Sequence, residues 1–348
     1  MKRMLFALAS IAVLVVFALP ALAEPLPVTV SIAPQAYFAR RIGGDRIAVT
    51  VMVPAGADAH TFEPKPSQMA ALQKARLYFA VGIDFERAWL PRFADVNKDM
   101  TIVETDKEIV KIAMAPHSHD HDQDADTPRA GHDHDAAKAG TDQEHAQGAA
   151  KAGAGHGQGA AKPDAPVAAP AGHDHGHDCA EHHHEGLDPH VWLSPAQVKI
   201  QATAMRDALI ATDPAGADAY RAGYEAFAAD VSALDKKLRA AFAAVPEGQR
   251  KFMVFHPAWG YFARQYGLTQ VPVEREGKEP GPAQLAAIID EAKKDGVRVV
   301  FVQPQFSDRN AEVVAKAIGG SVVGVDPLAE DWLANMEKVA AAFQAAMK

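Results

Sequence analysis

The chain has 348 residues, of which 48% are hydrophobic and 23% charged, and it carries a formal net charge of -9. That length supports one large core or, as the better expectation, two lobes, since domains run to roughly 100 to 200 residues. The acidic balance excludes a nucleic-acid partner, which demands a clustered basic face, and the single cysteine, Cys179, excludes internal disulfides and thiolate-rich metal sites.

Residues 1–23 read as an export signal. Lys2 and Arg3 form a basic start, Leu5 to Leu19 an apolar stretch, and Ala21-Leu22-Ala23 a small-residue cleavage site before Glu24. The apolar stretch falls short of the roughly 20 residues that a spanning helix needs, so an uncleaved anchor is the weaker reading. No cysteine stands at the cleavage point to take a lipid. A soluble periplasmic protein, cleaved after Ala23, is expected.

Residues 24–115 show α/β rhythm. Val28 to Ile32, Ile47 to Val53, Leu77 to Val81 and Thr101 to Val103 are short β-prone runs. Helical stretches separate them, such as Ser67 to Ala75, with Ser67 suited to the cap. Parallel strands with crossover helices follow.

From about Pro116 to Glu185 the composition shifts to Ala, Gly, His, Asp and Pro, with almost no large apolar residue. Such a segment cannot bury enough surface to offset its ordering entropy, so 116–185 is expected to be a disordered insertion. Its histidines include His117, His119, His121, His132, His134, His173, His175, His177, His182, His183 and His184. Alternating imidazole and carboxylate predicts weak auxiliary binding of several metal ions. Tethering would give such ions a high effective concentration near any main site; a tolerated insertion with incidental affinity is the alternative.

Residues 186–213 complete the first lobe, with Ser194-Pro195 a good helix start. After the break at Asp213-Pro214, apolar positions at three- and four-residue spacing, from Tyr220 to Phe242, predict one long helix within 214–245. At 1.5 Å per residue it spans about 45 Å, enough to bridge two lobes. Residues 246–348 repeat the α/β rhythm. Strands are expected at Phe252 to Phe255, Leu268 to Val273, Val297 to Val302 and Ser321 to Val325. Helices closed by Gly267, Gly296 and Gly319 lie between them.

Thirteen of the 16 histidines fall in the insertion; His60, His190 and His256 stand alone, each beside a strand or helix end. Ligands converge at such places in open α/β folds. Taken singly, a histidine beside proline in a loop is as readily a turn residue, so the flanking sequence must decide. Gly56 to Ser67 around His60, Asp188 to Pro195 around His190, and Phe255 to Arg264 around His256 resemble signature segments of the metal-binding solute receptors of ABC importers, in their zinc branch. Gln303 to Ser307 and Val325 to Leu328 match further segments, so the resemblance covers nearly the whole chain after residue 23.

The resemblance implies two similar lobes with parallel sheets, joined by one long rigid helix, and a metal site in the cleft between them. It implies a monomer that captures zinc and delivers it to a membrane permease working with an ATPase. By motif, His60 and His190 would be ligands from the first lobe, His256 and Asp326 from the second. A water is the alternative to Asp326, because Asp-Pro after a strand is also a common turn. Asp188 would orient the His190 ring or cap the next helix, and Glu63 would serve His60 in the same way. Manganese and iron receptors of the family place a carboxylate where this chain has His256, and an imidazole there favours zinc. Binding is expected to weaken below about pH 6 as imidazoles protonate.

Other readings are a manganese or iron receptor of the same family, an extracellular zinc buffer or adhesin, and a zinc hydrolase. Against the last, the chain lacks a His-Glu-x-x-His helix, a Gly-x-Ser-x-Gly elbow and a Walker loop.

Overall fold

The computed structural model describes residues 24–114, 186–274 and 278–347. The export signal and the insertion histidines read from the sequence lie outside the described residues.

The first lobe is built on strands β1 (Leu26–Val30), β2 (Ile47–Val51), β3 (Leu77–Ala80) and β4 (Thr101–Glu104). All pair in parallel, in the order β2-β1-β3-β4. The central strand β3 is buried along its length, as a strand covered by helices on both faces must be. Its helices are α1 (Ala33–Gly43), α2 (Pro66–Leu72), α3 (Asp84–Val96) and α4 (Pro195–Thr212).

The second lobe repeats that sheet with β5 (Lys251–Val254), β6 (Thr269–Pro272), β7 (Val299–Val302) and β8 (Ser321–Gly324), in the order β6-β5-β7-β8. The linking helix α5 (Ala217–Ala243) precedes it; α6 (Gly260–Tyr266), α7 (Pro282–Lys294), α8 (Arg309–Ala317) and α9 (Trp332–Ala346) follow. Gly267, Gly296 and Gly319 close α6, α7 and α8 with φ near +66°, +68° and +65°, a conformation that costs glycine nothing.

Local chemistry explains most element starts. Ser194 Oγ accepts from the backbone N–H of Gln197 and caps α4. Ser67 does not cap α2. Pro66 takes the first helical position, and the Gln68 side chain accepts from Lys65 N instead (2.8 Å), so the helix begins one residue earlier than the hydroxyl suggested.

The lobes share a continuous apolar core that runs along α5, through Tyr220, Phe227, Val231, Leu234, Leu238 and Phe242. Trp332 of α9 meets Phe38 of α1 edge-on, ring centroids 5.3 Å apart, and lies 6.5 Å from Phe227. A second, smaller cluster sits on the far face of the second sheet. At Gly223, a Cβ would overlap the carbonyl oxygen of Ile42, so the glycine lets α5 lie directly on the end of α1. Among the described residues, no helix is long and apolar enough to cross a membrane.

Candidate metal centre

Both sheets point their carboxyl ends at one cleft, where open α/β sheets collect ligands. The loop after β2 carries His60, and its shape is set by Asp58. The Asp58 carboxylate accepts from His60 N (2.9 Å) and Thr61 Oγ1 (2.7 Å). His190 precedes a turn of 3-10 helix ahead of α4. His256 lies two residues beyond β5, and Gln303 clamps its backbone. Gln303 Oε1 accepts from His256 N (3.2 Å), and its Nε2 donates to His256 O (2.7 Å).

The three rings form a near-equilateral triangle with centroids 5.0 to 5.1 Å apart. His190 Nε2 lies 3.3 Å from Nε2 of both His60 and His256. Among the described residues, these three form a group whose donor atoms all lie within 4.8 Å of one another.

Each ring is turned by a carboxylate behind it. His60 Nδ1 meets Asp84 Oδ2 (2.8 Å), His190 Nδ1 meets Asp188 Oδ1 (2.7 Å), and His256 Nδ1 meets Glu274 Oε2 (3.0 Å). An ionised carboxylate only accepts, so with the carboxylates ionised each Nδ1 carries the proton and each neutral ring presents an Nε2 lone pair to the centre. Three converging lone pairs repel unless a cation sits between them. That is the arrangement of a metal ligand set with its ring orientations fixed.

Burial, with the two neighbouring imidazoles, pushes His190 well below the ordinary imidazole range. At His60 burial acts in the same direction but is outweighed by the Asp84 hydrogen bond and the charges of Asp84, Asp58 and Glu274, so its pKa is raised. Burial lifts the Asp188 carboxyl to about 7, against the hydrogen bond from His190 N. The hydrogen bond to His60 holds Asp84 below the usual range.

Asp188 takes the first of its two expected roles and turns the His190 ring, while Ser194 caps the helix. Glu63 is exposed, and the carboxylate at His60 is Asp84, from the first turn of α3. Asp326 stands outside the histidine group. Its Oδ1 accepts from Leu328 N and from Gln305 Nε2, both at 2.9 Å, the geometry of an Asp-Pro turn. Asp84, Glu274 and Gln303 were missed, although each lies within a few residues of a strand's carboxyl end.

The cavity in front of the rings is small, about 20 Å³, and lined by Ile83, Trp192, Phe306, Pro327 and Leu328, with Gln305 the uncharged polar member. Phe306 stacks on His256 at 4.7 Å. Bonds across the lobes frame the cavity. Trp192 Nε1 donates to Pro327 O (2.8 Å), and Trp332 Nε1 donates to Trp192 O (2.7 Å). Tyr261 Oη accepts from Ile112 N (3.2 Å) and donates to Asp188 O (3.0 Å). At Gly260 a Cβ would overlap Asp188 Oδ2.

Two parallel-sheet lobes whose strand ends meet at three converging imidazoles define a metal-binding solute receptor. The chain belongs to the family described as zinc-uptake complex component A, periplasmic, whose model matches residues 28–346. A crystal structure of ZnuA is similar at 34% identity and a TM-score of 0.72, covering 93% of this chain and 100% of that one. The manganese-binding lipoprotein MntA of Halalkalibacterium halodurans is 24% identical over 81% of this chain and 72% of its own length. The zinc-binding lipoprotein AdcA of Streptococcus pneumoniae is 25% identical over 86% of this chain, which spans 52% of that longer protein. Relatives named for different metals leave the choice of ion to the chemistry of the donors.

Proposed function

We propose that the protein captures zinc in the periplasm, after cleavage at Ala23, and delivers it to the permease of an ABC importer driven by its ATPase. The observation that carries this reading is the set of three Nε2 lone pairs, with no carboxylate among the converging donors of the described residues. Neutral nitrogen donors suit zinc, whereas manganese and ferrous iron favour sets rich in hard oxygen. The spacing fits as well. A tetrahedral ion with bonds of about 2.0–2.1 Å has ligand edges of about 3.3–3.4 Å, and the two Nε2 separations at His190 are 3.3 Å.

The protein acts as a receptor and not as an enzyme in this reading. The cavity leaves little room for an organic substrate beside the ion, and its side chains serve to hold rings in place. His190 is the most enclosed ligand and belongs to neither sheet, so it closes the site between the lobes.

Titration of the His60→Ala, His190→Ala and His256→Ala variants against zinc and manganese tests the assignment. Each variant is expected to lose at least about a hundredfold in zinc affinity, with manganese binding weak throughout. Tighter binding of manganese than of zinc by the unaltered protein would sink the zinc reading and favour the manganese or iron alternative.

A further inference from the structure

Three imidazoles leave one corner of a tetrahedron open. The Asp326 carboxylate is not available to fill it as it stands, because its Oδ1 is engaged by Leu328 N and Gln305 Nε2. Those two bonds fix the orientation of the Gln305 side chain. Asp326 Oδ1 accepts from a backbone N–H, so it must also accept from Gln305, and the amide group facing it is the nitrogen. Gln305 Oε1 therefore points the other way.

That oxygen is buried and has no hydrogen-bond partner among the described residues, and Gln305 lines the same cavity as the three histidines. The neighbours it shares the cavity with are apolar, apart from Asp58, whose carboxylate is committed to His60 N and Thr61 Oγ1. An orphaned carbonyl oxygen on a residue that lines the cavity of a three-histidine site is an acceptor that needs a donor. Water on a divalent ion is such a donor, with its O–H polarised by the metal.

Resting on the reading of this cleft as a metal centre, we propose that Gln305 is a positioning residue for the fourth ligand. Its Oε1 accepts a hydrogen bond from a water bound to the metal, and Asp326 acts on the ion only by holding Gln305 in place. The arrangement also selects the kind of fourth ligand. A water can donate to Oε1, whereas an unprotonated anion would meet the carbonyl oxygen and the carboxylates behind the rings, Asp84 foremost, whose pKa the His60 hydrogen bond lowers. The site is thereby kept for a hydrated cation with no bound anion.

The cobalt-loaded protein tests this, because the visible absorption of cobalt(II) reports the fourth ligand directly. Azide is titrated into the unaltered protein and into Gln305→Leu, Asp326→Leu and Asp326→Asn. The Asn side chain keeps an Oδ1 able to accept from both Leu328 N and Gln305 Nε2. The unaltered protein and Asp326→Asn are expected to resist azide, while Gln305→Leu and Asp326→Leu bind it at about tenfold lower concentration and lose about tenfold in zinc affinity. Near-UV circular dichroism checks folding, and Gln305→Leu alone decides the matter if Asp326→Leu is unfolded. An unchanged azide response in Gln305→Leu overturns the proposal. So does a collapse of metal affinity in Asp326→Asn, which would make the carboxylate a direct ligand. Failure of the unaltered protein to bind cobalt or zinc would instead remove the metal-centre reading itself.

Discussion

At the scale of single residues, the site is organised from behind. The histidines supply the lone pairs, but Asp84, Asp188 and Glu274 decide where those lone pairs point. Glu274→Gln keeps an oxygen that accepts from His256 Nδ1 but removes its charge. Calorimetric titration is expected to show about a tenfold loss of zinc affinity. Another buried carboxyl, Glu86, serves the scaffold. It accepts from Gly82 N (2.7 Å), Val81 N and Ser31 Oγ, pinning the start of α3 to the end of β3. Burial lifts it to about 7, against those hydrogen bonds. Its folded pKa lies above its unfolded one, so the native state holds this proton more tightly. The resulting stability is full below about pH 4.5 and is lost as pH rises through 7. Urea unfolding should therefore show Glu86→Gln gaining on the unaltered protein by on the order of 2–3 kcal/mol between pH 4.5 and 8. A constant difference across that range would count against the assignment. The three histidines were legible in the sequence because each sits in a distinctive local segment. So was Asp188, two positions from His190, but the other two carboxylate partners were not, because Asp84 is 24 positions from His60 and Glu274 is 18 from His256. Only folding brings these pairs together. Glu63, in the same segment as His60, misled for the same reason.

Among the elements, strands and glycine-closed helices were easiest to read, since β-branched runs and left-handed caps are written locally. The helices α1, α3 and α9 were not singled out. α3 contains Pro91, and neither α1 nor α3 has a side-chain cap, so their starts lack the usual polar signal. The linking helix was legible because its apolar stripe runs from Tyr220 to Phe242, but the sequence did not reveal why Gly223 sits within that span. Glycine inside a helix costs about 1 kcal/mol relative to alanine, so on propensity alone Gly223→Ala should stabilise. The close pass of α1 reverses that sign, because the methyl would meet the Ile42 carbonyl. Chemical denaturation is expected to show Gly223→Ala less stable by about 1–3 kcal/mol. A gain in stability would mean that α1 yields easily.

Over the whole molecule, the two sheets repeat one topology, yet they do not behave as halves on a free hinge. A shared core along α5, the edge-on contact of Trp332 with Phe38, and the paired indole bonds of Trp192 and Trp332 hold the lobes in register. Metal loading should accordingly leave the small-angle scattering radius unchanged within error. A contraction of the size seen when hinged receptors shut would contradict this picture. The interlock has one further consequence, at Gly260. This second-lobe glycine reserves the volume into which the first-lobe carboxylate of Asp188 projects, and the adjacent Tyr261 holds the Asp188 carbonyl. His190 is therefore coupled to the gap between the lobes through Asp188. In the proposed receptor role, drawing the second lobe back by a fraction of an ångström would slacken Asp188 and let the imidazole swing, so that release would need no wide opening.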